Sequence, residues 1–458
     1  MRRVKARIMT LGASLAAYAG APPGARAAET ITAAPPAAPA RPDVWQADAT
    51  FQNSFGTERL ERYRRNMVID AAKAKLALRV EPAAFVRFGI SALVKDYYGT
   101  TTIPADSYLP DDARAALVDA DPAAGRPGTA DLLAFPLSRQ QQLHEAYAAL
   151  NNERVRLTVG RQLFLTGTGQ AFRPTDLFNF THPGDPMWEP EGHDGVHVAL
   201  GLSASTRLEG FVERQPSLGR ANWIGRASAS VGIWRGGLSF THHAQPRTDW
   251  EAINSVDGLA AVAAGNATAF VRDFRWDLAA AEVVGALAGV NLRAEAGYAF
   301  VHAPAEVGTL ARAADSHLRL LLGADHAFAA GFSLLLEYMY LGQGRVRSAD
   351  LDLNDRLGQF TGELVSASRH TIFFAAGQEL GSRFGLGLRG MAMVMDPVNV
   401  VFMPYLSWRM SAHATLDLNG TLPTGSPRGV IGDAGPGALV WLKLETGLIG
   451  AGDPGNKS

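Results

Sequence analysis

The sequence predicts an all-β chain, a transmembrane antiparallel up-and-down β-barrel of about eighteen strands, give or take two. Three observations predict it. Many long segments alternate apolar and polar residues with period two, the links between them alternate short and long, and an export-type N-terminus is followed by no apolar run long enough for a helical span.

The N-terminal element comes first. Arg2, Arg3, Lys5 and Arg7 precede an uncharged Ala/Leu/Gly-rich run from Ile8 to Gly20, and Ala25 and Ala27 supply the small residues that a signal peptidase prefers. Residues 1–27 read as a cleaved export signal, the run being too short and too weakly apolar to span roughly 30 Å of hydrocarbon. Cleavage there removes five basic residues and no acid, taking the formal charge from −1 to −6. Residues 28–45 form a Pro/Ala-rich periplasmic lead-in, 46–450 the barrel and 451–458 a C-terminal tail. The location this implies is the bacterial outer membrane. With no Cys in the chain, a disulfide scaffold, a thiolate metal site and a cysteine nucleophile are excluded.

Strands are expected near 46–56, 68–80, 84–96, 142–151, 154–163, 194–202, 205–214, 224–233, 236–244, 267–287, 290–302, 316–327, 331–342, 369–379, 382–394, 398–408, 412–419 and 438–449. In the third, Val86, Phe88, Ile90, Ala92 and Val94 oppose Arg87, Ser91 and Lys95. In the eleventh, Leu292, Ala294, Ala296, Tyr298 and Phe300 oppose Asn291, Arg293, Glu295 and Gly297, and in the thirteenth Phe332, Leu334, Leu336, Tyr338 and Tyr340 oppose Ser333, Glu337 and Met339. Such segments exceed the globular mode of about five or six residues and match the roughly 9 to 11 tilted residues that a bilayer requires. Phe300, Tyr338, Tyr340 and Trp408 stand where aromatic girdles belong.

Tight turns are expected at Glu81–Ala83, Asn151–Glu153, Trp234–Arg235, Phe328–Ala330 and Gly381, against long links at 97–141, 163–193, 245–266, 303–315, 343–368 and 420–437. Short periplasmic turns and long extracellular loops are the pattern of an outer-membrane barrel. The stretch Ala267–Val290 is long enough to hide an extra hairpin.

If the apolar face meets lipid, the other lines the interior. Parity assigns to it Lys73, Lys75, Arg79, Arg87, Lys95, Arg154, Arg156, Arg207, Arg293, Arg319, Arg389, Arg409 and Lys443, against Glu145, Glu209, Glu213, Glu295, Asp325, Glu337 and Glu445. A basic lumen attracts anions, although cross-strand pairing would make the same residues mere filling. Eighteen strands enclose more interior than side chains fill, which favours a conducting bore.

The fifth strand points Val155, Leu157, Val159 and Leu163 one way and Arg154, Arg156, Thr158 and Gln162 the other. Arg161 then falls on the lipid side, so it sits at the membrane edge or a bulge at Gly160 turns it inward. In the segment that follows, Gly167 and Gly169 permit tight turns, Arg173 and Asp176 are spaced to pair, and Asp176 and Asn179 are able to cap turns. This loop is expected to fold into the mouth and narrow it, with Arg161, Gln162, Arg173 and Asp176 at the constriction.

"LHEAYAAL", "VRLTVGRQ" and "GTGQAFRPTDLFNF" together resemble the Gly-Arg-Gln strand and polar loop of outer-membrane porin-type barrels in the alginate-export and related families. The resemblance is specific over Leu143–Val198 and general elsewhere. It implies a barrel of about eighteen strands passing anionic or small hydrophilic solutes. Outer-membrane lipids and the barrel assembly machinery are the partners of such a protein, yet the C-terminal "LETGLIGAGDPGNKS" departs from the usual aromatic ending.

His182, Asp185, Glu189, Glu191, His193 and Asp194 gather in one loop segment, but their spacing matches neither a calcium nor a zinc pattern, and no metal or other cofactor is expected. Ser239, His242 and His243 tempt an enzyme reading, but alternation separates Ser239 from His242 and no nucleophile elbow is present, so no catalysis is expected. No phosphate loop, dinucleotide fingerprint or interleaved basic patch points to nucleic acid. The function expected is a channel for hydrophilic, preferentially anionic solutes; a dedicated exporter of an anionic polysaccharide is the alternative, and a barrel enzyme or adhesin a more distant one.

Overall fold

The computed structural model describes residues 44–60, 65–104, 106, 109–136, 139–179, 189–215, 221–424 and 439–449. The export signal, most of the lead-in and the C-terminal tail expected from sequence lie outside the described residues.

Eighteen strands form one antiparallel sheet: β1 Val44–Leu60, β2 Arg65–Ala83, β3 Val86–Gly99, β4 Gln140–Asn151, β5 Val155–Gln162, β6 His193–Gly201, β7 Thr206–Glu213, β8 Asn222–Val231, β9 Trp234–Thr248, β10 Val271–Leu287, β11 Val290–His302, β12 His317–Ala327, β13 Phe332–Leu341, β14 His370–Leu380, β15 Phe384–Met393, β16 Asn399–Ser411, β17 Ala414–Thr424 and β18 Leu439–Ile449. Each pairs with its neighbours in the chain, and β1 also pairs with β18 from Asp48↔Ile449 to Glu58↔Leu439. The sheet therefore closes on itself. Closure gives every strand two partners and leaves no backbone edge to be satisfied by lipid.

The period-two pattern divides the wall as the sequence predicts. Leu336 on β13 is 55% exposed on the outside, whereas Glu337 beside it is fully buried on the inside. Tyr98, Trp223, Phe300 and Tyr340 ring the outer wall toward the loop end, and Trp45, Phe384 and Trp408 toward the turn end. Phe384 and Trp408 stack at 6.1 Å.

Several boundaries differ from expectation. β2 runs through Ala83, so its turn is at Ala84–Phe85, and the β8–β9 turn is Gly232–Ile233 rather than Trp234–Arg235. Ala267–Val290 holds no extra hairpin: a 3-10 turn, Ala267–Phe270, leads into the single strand β10, which reverses at Ala288–Gly289. Both turn residues have positive φ, 51° and 83°, the handedness that matches strand twist in a two-residue hairpin. In β4, His144 is an extra residue between the pairs Ser91↔Glu145 and Ala92↔Leu143, a bulge that turns its ring inward to full burial.

The long links carry helices that the strand pattern did not announce. Between β3 and β4 lie α1 Asp111–Ala115, α2 Thr129–Leu132 and a paired Thr102–Pro104 and Ala134–Pro136. Between β9 and β10 lie α3 Trp250–Ile253 and α4 Val256–Ala263, and between β13 and β14 lies α5 Leu353–Phe360. Asp249, Ser255 and Asp352 start α3, α4 and α5 by accepting from the N–H of Ala252, Gly258 and Asp355. Trp250, Ile253, Leu259, Leu353 and Leu357 from these helices pack with Leu109 and Leu133 onto Met67, Ile69, Tyr97 and Trp441 of the wall. Asn254 pins the loops together: its Oδ1 accepts from Val118 N–H at 2.9 Å and Thr129 Oγ1 at 2.6 Å, and its Nδ2 donates to Ala116 O at 3.0 Å.

Candidate functional site

The β5–β6 link leaves the wall and crosses the lumen, and its own backbone explains how. From Thr168 to Phe172 five successive N–H groups point at two inward carboxylates of the far wall. Thr168 and Gly169 donate to Glu295 on β11, the latter at 2.9 Å, and Gln170, Ala171 and Phe172 donate to Glu337 on β13 at 2.7, 2.8 and 3.1 Å. The hydroxyls of Thr168 and Thr175 add bonds to Glu295 at 3.0 and 2.6 Å. A run of unpaired N–H groups in a glycine-bearing turn makes a concave anion site, here filled by the protein's own carboxylates. Gly169 cannot be replaced without rearrangement, since a Cβ would stand 1.7 Å from Phe172 O.

Apolar side chains anchor the rest of the crossing. Phe172 sits among Leu321, Leu335, Met339, Phe373 and Met391, Leu177 among Phe274, Trp276 and Leu278, and Phe178 against Phe211 and Ile224. Phe164 stacks on Phe211 at 4.4 Å. The lumen wall is thus apolar beneath Phe172, Leu177 and Phe178 and charged beneath the loop's backbone, at Glu295 and Glu337.

Of the four residues expected at the constriction, three belong to the inner assembly. Gln162 is buried on the inner wall, donating toward Thr158 O and Gly195 O at 3.4 Å. Arg173 turns back to Gly169 O at 3.1 Å. Asp176 accepts from the N–H of Thr166, Phe178 and Asn179 at 3.2, 3.0 and 3.2 Å, so it holds the turn as its spacing suggests. Burial raises its carboxyl above the ordinary value, and these hydrogen bonds and Arg173 oppose the rise. Arg161 is the correction. Gly160 has φ of +117°, but the pairs Tyr147↔Gly160 and Ala146↔Arg161 stay in register, so no bulge turns Arg161 inward. It remains on the outer face one residue from the strand end, paired with Asp194 at 3.1 Å, where the cost of a charge facing lipid is small.

The basic lining is largely found where parity puts it. Arg293 pairs with Asp325 and, at 3.0 Å, with Glu337. Arg319 donates to Pro174 O of the crossing loop at 2.6 Å and lies over Trp276 at 4.5 Å. Arg389 lies over Tyr405 at 4.4 Å. Arg207 pairs with Glu209 at 2.7 Å, Arg87 with Glu81 at 2.5 Å and Lys443 with Glu445 at 2.8 Å, while Arg156 donates to Asn151 at 3.0 Å. Lys95 is buried opposite Lys73, and both Lys73 and Lys75 reach Glu189. Arg79 and Arg409 are exposed toward the turn end. Arg154 is corrected, because it stands in the exposed turn before β5 and not on the wall.

Sequence reading missed Arg226 on β8, which pairs with Glu209 at 3.7 Å and with Glu282, and Arg247 on β9, which lies 5.7 Å from the Trp276 ring centre. Arg247 fell in the link expected at 245–266 because β9 runs on to Thr248, whereas strand parity was signal enough for Arg226. Glu282 and Asp417 join the inward acids on the same ground. Among the described residues of the inner wall, basic side chains still outnumber acidic ones.

The remaining candidates disperse. His182 and Asp185 lie outside the described residues; Glu189 binds Lys73 and Lys75, His193 binds Glu213 at 2.9 Å, and Asp194 binds Arg161. No metal-binding group of three or more such residues occurs among the described residues. Ser239 faces the lumen, while His242 faces outward and bonds Asp277 at 2.6 Å.

No family model matches the chain, and no curated protein matches it. Among solved structures it is similar to a BenF-like porin from Pseudomonas fluorescens Pf-5, with 11% identity and a TM-score of 0.51 over 88% of this chain and 98% of that one. It is also similar to OccAB4 of Acinetobacter baumannii, with 9% identity and a TM-score of 0.50 over 90% and 99%, and to OccD3 (OpdP) of Pseudomonas aeruginosa, with 10% identity and a TM-score of 0.50 over 95% and 98%. The chain shares the eighteen-stranded barrel fold of these proteins. The likeness to alginate-export barrels rests on the motif over Leu143–Val198 alone.

Proposed function

We propose that the protein is an outer-membrane channel for passive passage of hydrophilic solutes, with a preference for anions. The observation that carries this reading is the lumen: a closed barrel too wide for its own side chains to fill, crossed by the anchored β5–β6 loop and walled, among the described residues, by more basic than acidic groups. The loop restricts the bore, with Gln162 and Arg173 at the restriction and Asp176 holding its turn. Barrel likeness to porins supports a channel, and the basic excess supports the anion preference. Insertion into the outer membrane by the assembly machinery, after removal of residues 1–27, belongs to the same proposal.

Reversal potential in a planar bilayer under a salt gradient is the test. A potential displaced toward the anion equilibrium value is expected. Displacement toward the cation value, or no conductance from a folded barrel, would contradict the proposal.

A further inference from the structure

We infer that the outer face of β9–β11, at its loop end, binds the phosphate of an outer-leaflet glycolipid through His242 and His302, which share Asp277. The inference rests on the outer-membrane placement and is independent of what the lumen passes. The three residues form one bonded chain across three strands: His242 Nδ1 lies 2.6 Å from Asp277 Oδ1, and His302 Nε2 lies 2.7 Å from Asp277 Oδ2. An ionised carboxylate only accepts, so the nitrogen that each ring turns toward Asp277 carries a proton. His242 Nε2 and His302 Nδ1, the opposite ring atoms, each become a further N–H donor when the ring is charged.

Position gives these donors their partner. Trp223, His242, Asp277 and Phe300 stand in one row across β8–β11, with Arg275 and His302 in the row beyond, toward the loops. Trp223 and Phe300 belong to the aromatic belt of that end, so the row beyond them stands at headgroup depth. Trp223 also stacks on the His242 ring at 6.1 Å, which fixes the plane of the imidazole. The His302 side chain is 59% exposed, open to a partner outside the wall. Below these rows the same face becomes apolar and shallow. Ala279 lies between Phe240 and Tyr298, and Ala281 between Leu238 and Ala296, while Leu238, Phe240 and Tyr298 stand exposed around them. The small residues leave a trough in which an acyl chain of the same lipid is able to lie.

Charge balance separates this cluster from an ordinary ion pair. Elsewhere on the outer wall Arg161 and Asp194 cancel one for one. Here one carboxylate serves two imidazoles, and Asp273 and Arg275 are the other charged groups that β9–β11 turn outward. With both rings charged, His242, His302 and Arg275 outweigh Asp273 and Asp277, and a lipid phosphate supplies the missing negative charge. The contact is ionic and hydrogen-bonded, with no covalent step.

The test is lipid retention by the refolded full chain in detergent micelles, read by native mass spectrometry. The probes are a bis-phosphorylated lipid A and the same lipid with its phosphates removed, with inorganic phosphate as competitor. The proteins are wild type, His302→Gln, a double variant combining His242→Gln with His302→Gln, and His326→Gln, which removes an outward imidazole at the turn end. Wild type and His326→Gln are expected to retain the phosphorylated lipid equally, and the double variant to bind it about tenfold more weakly. Retention by wild type should strengthen as pH falls from about 8 to about 5.5, and stay flat in the double variant. Equal retention of the dephosphorylated lipid, or an unchanged affinity in the double variant, overturns the inference. Displacement of the lipid by inorganic phosphate at matched concentration assigns the site to free phosphate and overturns it as well. Should the double variant fail to fold, undiminished retention by His302→Gln overturns it equally. The outer-membrane placement fails separately, through recovery of the folded barrel in other cell fractions.

Discussion

Two carboxylates decide where the crossing loop goes. Glu337 takes three backbone N–H groups of the loop as well as Arg293, and it is fully buried. A hydrogen bond to a charged group contributes about 1.5–3 kcal/mol, and a buried donor left without its partner costs about 1–3 kcal/mol. Glu337→Ala is therefore expected to free Gln170–Phe172, seen as lost hydrogen-exchange protection at those amides while β13 stays protected. Retained protection there would show that Phe172 and its apolar neighbours suffice. Glu189 gives a pH dependence at the same scale. A carboxyl held below its unfolded value stabilises the fold above that value, and the contribution is lost as pH falls through the folded one. Its contact with Lys73 and Lys75 should persist from pH 7 to about 5 and fade as pH drops from about 4.5 toward 2. Conductance that changes between pH 7 and 5 in wild type but not in Glu189→Gln would contradict this.

Strands and loops differ in how much of them the sequence discloses. Which way Leu336 and Glu337 point depends only on alternation along the chain, so the eighteen strands and the lining residues Arg293, Arg319 and Arg389 were legible. Placing Arg161 outside followed from the same rule, while the inward alternative required a register shift that the neighbouring strands do not make. Helices α3 to α5 were hidden because each is short and its apolar residues face other loops and the inner wall, contacts between distant segments with no local period. The outer face carries its own prediction. Leu336→Arg, near the middle of β13, should cost about 2–4 kcal/mol in lipid, measured by denaturant unfolding in vesicles. A cost near zero would place that face away from the bilayer core. In the loops, Asp249 caps α3 and also accepts from Thr309 N–H at 3.2 Å and from the Thr309 hydroxyl. Asp249→Ala should cost about 1–3 kcal/mol of loop stability. Faster proteolysis within residues 249–270, with barrel heat-modifiability unchanged, is the expected readout.

For the molecule as a whole, closure and filling are separate problems. Closure is the pairing of β1 with β18 once every other strand pairs with its chain neighbours, as the sequence pattern implies. Filling depends in part on the β5–β6 link, whose trajectory is set by Glu295 and Glu337, more than a hundred residues further along the chain. Inward acids and a glycine-bearing polar loop were each visible in the sequence, but the partnership between them was not, since nothing local couples them. The same separation explains why the lumen holds an apolar lining under Phe172, Leu177 and Phe178 in a wall otherwise polar by parity. In the proposed channel that loop narrows the conducting bore. Single-channel conductance of a variant lacking Gly167–Asn179, compared with wild type in the same bilayer, tests it most directly. A clear rise in conductance is predicted, and a folded barrel whose conductance is unchanged would contradict it.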